Sequence, residues 1–196
     1  MRKIVFDIET TNTFQEANSS EAKDLDLAVV CIYDSETDSY SHYFKENLNE
    51  LWPIIEKADL LIGFNSNHFD IPLLNKYYAG NLFDIKSIDI LEKIYTSEFG
   101  RRIKLDDIAQ ATLGQKKIGN GLESIIWWRN GEIDRVVEYC KQDVKVTKEV
   151  YEYAIKNGKL RYPKNLGGGK TEIAEFRLDT SDWETKGGTL APTLGF

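Results

Sequence analysis

The sequence predicts a mixed α/β domain, a sheet flanked by helices, and three observations point there. Strand-like runs open the chain and pair as a hairpin, helix and strand periodicities then alternate, and the last third before residue 155 reads as helices. With 196 residues the chain is long enough for one good core and short for two domains. The expected division is a domain over residues 1–155 and a basic, Gly-rich C-terminal tail over 156–196, read as loops or a hairpin.

The elements follow in order. MRKIVFDIETT has a period of two, with Ile4, Phe6 and Ile8 on one face and Val5, Asp7 and Glu9 on the other. DLAVVCIYD, DSETD and SYSHYF read as strand, turn and returning strand. In ENLNELWPIIEKAD, Leu48, Leu51, Ile54 and Ile55 have helical spacing, with Asn47 or Asn49 as N-cap and Pro53 in or just after the first turn. LLIGF is a strand, DIPLLNKYYAGN a helix ending at Gly80, and DIKSIDI a short strand. LDDIAQATLG and GLESIIWWRNG are helices ending near Gly114 and Gly131. In EIDRVVEYCKQDVKVTKEVYEYAI the residues Ile133, Val137, Cys140, Val144, Thr147 and Tyr151 recur at helical intervals and should face the core.

Composition narrows the function classes. A hydrophobic fraction of 41% with 29% charged residues is that of a folded globular chain and excludes wholesale disorder. No apolar run reaches the roughly 20 residues that span a bilayer. A strand begins by the third residue, leaving no room for a signal peptide, so a cytoplasmic location is expected. Cys31 and Cys140 read as small core residues, and His42 and His68 are too scattered for a histidine metal cluster. A net charge of −7 argues against a uniformly basic nucleic-acid binder. Basic side chains are nevertheless grouped: Arg101, Arg102 and Lys104; Lys116 and Lys117; and five between Tyr153 and Thr171, where no acid occurs.

Carboxylates carry the chemistry. Asp7 and Glu9 share one face of a strand about 7 Å apart, an arrangement of like charges that calls for a cation unless that face is solvated. Asp70 opens a helix after the polar loop Asn65, Asn67, His68, Phe69, at the strand end where α/β sheets bind ligands; its plain reading is an N-cap. Tyr139 and Asp143 are four apart on the long helix and flank the apolar stripe, where a solvated face is the alternative.

Taken together, FDIET, GFNSNHFDIP and YCKQD resemble the three exonuclease motifs of the DEDD superfamily of 3′ to 5′ exonucleases, in its tyrosine-containing branch. The likeness is greatest to the proofreading domain of family B DNA polymerases, and KLDDIAQATLG resembles the segment between its second and third motifs. The resemblance implies a ribonuclease H-like fold with a five-stranded mixed sheet. It implies two divalent cations, Mg²⁺ or Mn²⁺, held by Asp7, Glu9, Asp70 and Asp143, with Tyr139 orienting the attacking water. Asn65 and Phe69 match positions that hold terminal nucleotides, although an isolated Phe is also a core residue. The expected substrate is a single-stranded or frayed 3′ end, DNA favoured over RNA, and a replication or repair protein is the expected partner. The rival expectation is an inactive nucleic-acid-binding or polymerase-associated subunit of the same fold.

Overall fold

The computed structural model describes residues 1–97, 100–115 and 121–185. In chain order these form β1 (Lys3–Thr10), β2 (Leu27–Asp34), β3 (Ser39–Tyr43), α1 (Leu48–Ile55), β4 (Leu60–Gly63), α2 (Asp70–Leu74), β5 (Ser87–Asp89) and α3 (Ile90–Ser97). There follow α4 (Leu105–Leu113), α5 (Gly121–Arg129), α6 (Ile133–Asn157), β6 (Lys159–Gly167) and β7 (Lys170–Arg177). The first five strands make one mixed sheet in the order β3-β2-β1-β4-β5, with β1 central. β1 is antiparallel to β2 and parallel to β4, which is parallel to β5.

The alternation read in β1 is the partition of the core. Ile4, Phe6 and Ile8 pack with α1 and α2, while Val5 faces the cluster built by α3, α4 and α6. Each sheet face is thus covered by helices, which is why β2 and β4 are apolar on both sides. Among the described residues no helix is long and apolar enough to cross a membrane.

Local departures from the sequence reading have local causes. Pro53 is the sixth residue of α1 rather than part of its first turn. The helix expected to run to Gly80 stops at Leu74, because Asn75 Oδ1 accepts the Leu82 amide at 2.9 Å and turns the chain. α3 was not anticipated; Asp89 Oδ1 accepts the Glu92 amide at 3.2 Å in its first turn, and Ile90 and Ile94 are buried one turn apart. Gly114 closes α4 in the left-handed region at φ 73°, as its position suggested.

Residues beyond α6 are built into the same core. β6 and β7 form a hairpin that buries Leu160, Tyr162 and Phe176, and Thr112 of α4 exchanges hydrogen bonds with the Arg161 backbone at 3.0 and 3.2 Å. Trp183 is fully buried and stacks on Tyr151 with ring centres 5.7 Å apart. Glu184 accepts from Lys3 Nζ at 2.8 Å and from the Tyr151 hydroxyl at 3.0 Å. The basic run after α6 is largely neutralised by the facing strand: Lys159 and Arg161 pair with Glu175, and Lys164 with Glu172. The expected basic pair Lys116 and Lys117, and the tail from residue 186, lie outside the described residues.

Removing the Trp183 ring would leave a cavity against α6, so Trp183→Ala is expected to lower the unfolding free energy by about 3–5 kcal/mol. Urea denaturation checks this, and a change below about 1 kcal/mol would contradict the packing role.

Candidate metal centre

Asp7 and Glu9 leave β1 on the face that α6 crosses. The register sets Asp7 opposite Cys31 and Glu9 opposite Val29, so both carboxylates emerge among apolar neighbours. α6 lays Val137, Cys140 and Val144 on that face. The flanking Asp143 is brought to the two strand carboxylates: one oxygen from each of Asp7, Glu9 and Asp143 lies within 4.8 Å of the others. Glu9 is buried, and Asp7 and Asp143 are half-buried.

Each carboxylate has a local holder. Ser124 of α5, itself fully buried, donates to Glu9 Oε2 at 2.5 Å. The Cys140 thiol lies 3.6 Å from Asp7 Oδ2 and 3.4 Å from its carbonyl oxygen. Cys31 and Cys140 are both buried and free. Tyr139 stands edge-on to Trp127 with ring centres 5.8 Å apart, and its hydroxyl hydrogen-bonds Asp143. Trp127 is held in turn by the Arg135 guanidinium 4.1 Å from its ring.

Crowding dominates the electrostatics. Burial, then the charges of Asp70, Asp143 and Glu9, hold the Asp7 carboxyl well above the ordinary range. Glu9 is pushed up to about 8 by burial and its acidic neighbours, against the pull of the Ser124 hydroxyl. Asp70, the first residue of α2 and only 3% exposed, is also raised to about 8, by burial first and then by Asp89. Burial and the three facing carboxylates push the Tyr139 phenol up as well. Raised pKa values let Asp7, Glu9 and Asp70 hold protons near neutrality, and a divalent cation would take the protons' place. An all-oxygen donor set suits a hard cation such as Mg²⁺ or Mn²⁺.

The centre opens on a cleft of about 740 Å³ whose acidic wall includes Glu9, Tyr139 and Asp143. The lining is otherwise partly apolar: Phe14 and Phe69 meet edge to face at 6.0 Å, and Leu122 and Ile125 of α5 also line the cleft. The loop carrying Phe14 is pinned to α5 by Arg129, which bonds Glu16 at 2.8 Å and the Thr11 carbonyl at 3.2 Å. Asn65 does not line this cleft. It sits with a φ of 64° at the start of the loop before α2, its amide held by Asp89 Oδ1 at 2.8 Å, and borders a smaller cavity instead. Gly63 precedes this turn because a Cβ there would meet Ser66 Cβ at 2.4 Å.

Of the residues singled out from sequence, Asp7, Glu9 and Asp143 converge, Asp70 couples to them electrostatically, and Tyr139 and Phe69 line the cleft. Sequence reasoning missed Ser124, Asp89 and Phe14. A lone hydroxyl three residues before Trp127 on an apolar helix was the available signal for Ser124.

Two outcomes follow. A carboxyl whose native pKa exceeds its unfolded value of about 4.5 makes the native state the stronger proton binder between there and about 8. That contribution to stability is full below the unfolded pKa and is lost as pH rises through the folded one. The melting temperature of chelator-treated protein should therefore fall from about pH 5 to pH 8, more steeply than in Glu9→Gln, and Mn²⁺ should restore it; equal slopes in the two proteins would contradict the shift. Ser124→Ala should weaken Mn²⁺ binding on the order of tenfold by freeing Glu9, and calorimetric titration giving an unchanged affinity would show that Ser124 does not position it.

Comparison with known proteins agrees with this fold. No curated protein sequence matches the chain. A solved structure of the family B DNA polymerase from the hyperthermophilic archaeon Pyrobaculum calidifontis superposes with a TM-score of 0.60 at 16% identity, over 79% of this chain and 24% of that one. The chain thus spans about a quarter of that polymerase's length, and at this identity the likeness is one of fold. The RNase H superfamily model matches residues 4–155, which hold β1 through most of α6 together with the three clustered carboxylates and Asp70; the chain belongs to the RNase H superfamily.

Proposed function

We propose that this chain is a metal-dependent 3′ to 5′ exonuclease of the tyrosine branch of the DEDD superfamily, cutting single-stranded or frayed ends, DNA in preference to RNA. One observation carries the reading: three carboxylates from β1 and α6 lie within 4.8 Å of one another, and two of them, Glu9 and Asp143, line a cleft together with Tyr139. The likeness to a DNA polymerase supports a DNA end as substrate.

In this reading Asp7 would serve both cations, Glu9 and Asp143 would hold one, and Asp70 would support the second. The cations supply a lowered pKa for bound water and a counter-charge for the leaving 3′ oxygen. Tyr139 stays protonated, its phenol raised well above its usual pKa by burial and by Asp143; its one proton goes to Asp143, so its oxygen accepts from the attacking water and orients rather than deprotonates it. Asp143 fixes that hydroxyl, and Trp127 fixes the ring. Phe69 and Phe14 offer an aromatic wall to the terminal base. Without cations the site repels phosphate, so substrate and metal should bind with positive coupling.

Incubation with 5′-labelled DNA and RNA strands tests the reading. Mg²⁺ or Mn²⁺ should give a ladder shortening from the 3′ end, with nucleoside 5′-monophosphates released, and a chelator should abolish it. Asp7→Asn should lower the rate by roughly 10³-fold or more while the metal-free fold is kept or stabilised, since one repelling charge is removed. Substantial metal-dependent cleavage by that variant would contradict the assignment. Strand binding by the wild type without cleavage would select the non-catalytic reading.

A further inference from the structure

Just before α4 the backbone at Lys104 is extended, and Ile103 packs against the core while Arg102 and Lys104 are exposed. Their two side chains reach different cavities. Lys104 lines the 740 Å³ cleft and is the cation of that lining among the described residues. Arg102 lines a second cavity of about 300 Å³ with Asn65, His68, Glu92 and Tyr95. Between the two runs the loop before α2, which gives Asn65 and His68 to the smaller cavity and Phe69 to the larger.

Charge makes this placement notable. The chain carries −7 overall, and many of its cations are committed to partners: Lys159 and Arg161 to Glu175, Arg129 to Glu16, Lys93 to Asp182. Arg101, next door, is turned away to the Tyr162 hydroxyl at 3.0 Å. Arg102 and Lys104 make no ion pair among the described residues, and the Arg102 guanidinium lies 5.9 Å from the Tyr95 ring centre. Tyr95 is 46% exposed, an aromatic face left open beside a cation. Two residues along an extended segment are about 7 Å apart, on the scale that separates successive phosphates of a stretched single strand.

We infer that Arg102 and Lys104 form a two-point phosphate rail leading a single strand from the acidic cleft, over the Asn65–Phe69 loop, into the second cavity. The inference rests on the nuclease reading above and extends it. Lys104 meets the phosphate next to the centre, where the carboxylates would otherwise repel it. Arg102 meets the following one and sandwiches the upstream base against Tyr95. Glu92 keeps its charge in this cavity, its carboxylate held by the Asn67 side-chain amide at 2.6 Å, so Arg102 must offset it for a phosphate to enter. A cavity of this size takes one base, and passage across a loop between two cavities requires an unpaired strand, so the rail selects single-stranded over duplex nucleic acid.

Fluorescence anisotropy with a 5′-labelled oligothymidylate, in Ca²⁺ to suppress cleavage, tests the rail across a range of salt concentration. Arg102→Gln and Lys104→Gln should each reduce the slope of log K against log salt by about 0.7, with losses adding in the double variant. Tyr95→Leu should weaken binding roughly fivefold or more with its slope unchanged. Lys57→Gln, an exposed neutralisation beyond α1, should change neither. Tight binding by the wild type with an unaltered slope in the double variant would overturn the rail and leave the nuclease reading standing. Failure of the wild type to bind any strand would overturn the nuclease reading, and the rail with it.

Discussion

The constraint on which this structure turns is the repulsion among Asp7, Glu9, Asp70 and Asp143. Like charges in a poorly solvated region are among the costliest arrangements a chain can adopt, and here three are anchored in the central strand and the longest helix, with Asp70 at the start of α2. Those elements are also the best supported: Phe6 and Ile8 alternate with the acids and are buried against α1 and α2, and Val137, Cys140 and Val144 surround Asp143. Packing on both sides of β1 fixes the backbone, so the carboxylates cannot relax apart by moving it. Burial first, and then the neighbouring charges, raise the pKa values of Asp7, Glu9 and Asp70, so the repulsion is relieved by binding protons or by binding cations.

Supports for this arrangement come from far along the chain. Ser124 reaches Glu9 across 115 residues of sequence, and Cys140 reaches Asp7 across 133. α6 is secured at both ends, by the Cys140 contact near the site and by Trp183 stacked on Tyr151 near the other end. Arg129 links α5 to the Phe14 loop, so the element that holds Glu9 also sets the apolar wall of the cleft. The far side of the site depends on Asp89, whose two oxygens accept the amides of Asn65 and Asn67 and shape the loop that separates the two cavities.

How much of this was legible follows from range. The β1 alternation, the hairpin, the α6 stripe and the acidic positions were readable because period and residue type are local properties, and the mixed sheet followed from element order, and its five strands from the family resemblance. α2 and α3 were misread because side-chain capping by Asn75 and Asp89, rather than apolar periodicity, decides where those helices stop and start. Phe14 was missed because nothing in its own neighbourhood distinguishes it, and the one local signal at Ser124, a hydroxyl on an apolar helix, does not say what it faces; only the fold sets a serine against Glu9 or a phenylalanine against Phe69. The basic run after α6 looked available for phosphate because its partners, Glu172 and Glu175, lie just beyond it on the returning strand.

The central claim is that the bare carboxylate cluster holds protons which a divalent cation displaces. Calorimetric titration of the chelator-treated protein with Mn²⁺ near pH 7, repeated in buffers of different ionisation enthalpy, measures that exchange directly. With Glu9 and Asp70 raised to about 8, binding should release at least about one proton per chain at that pH, and the release should fall away above about pH 9. Absence of Mn²⁺ binding, or binding with no proton released near pH 7, would contradict the account.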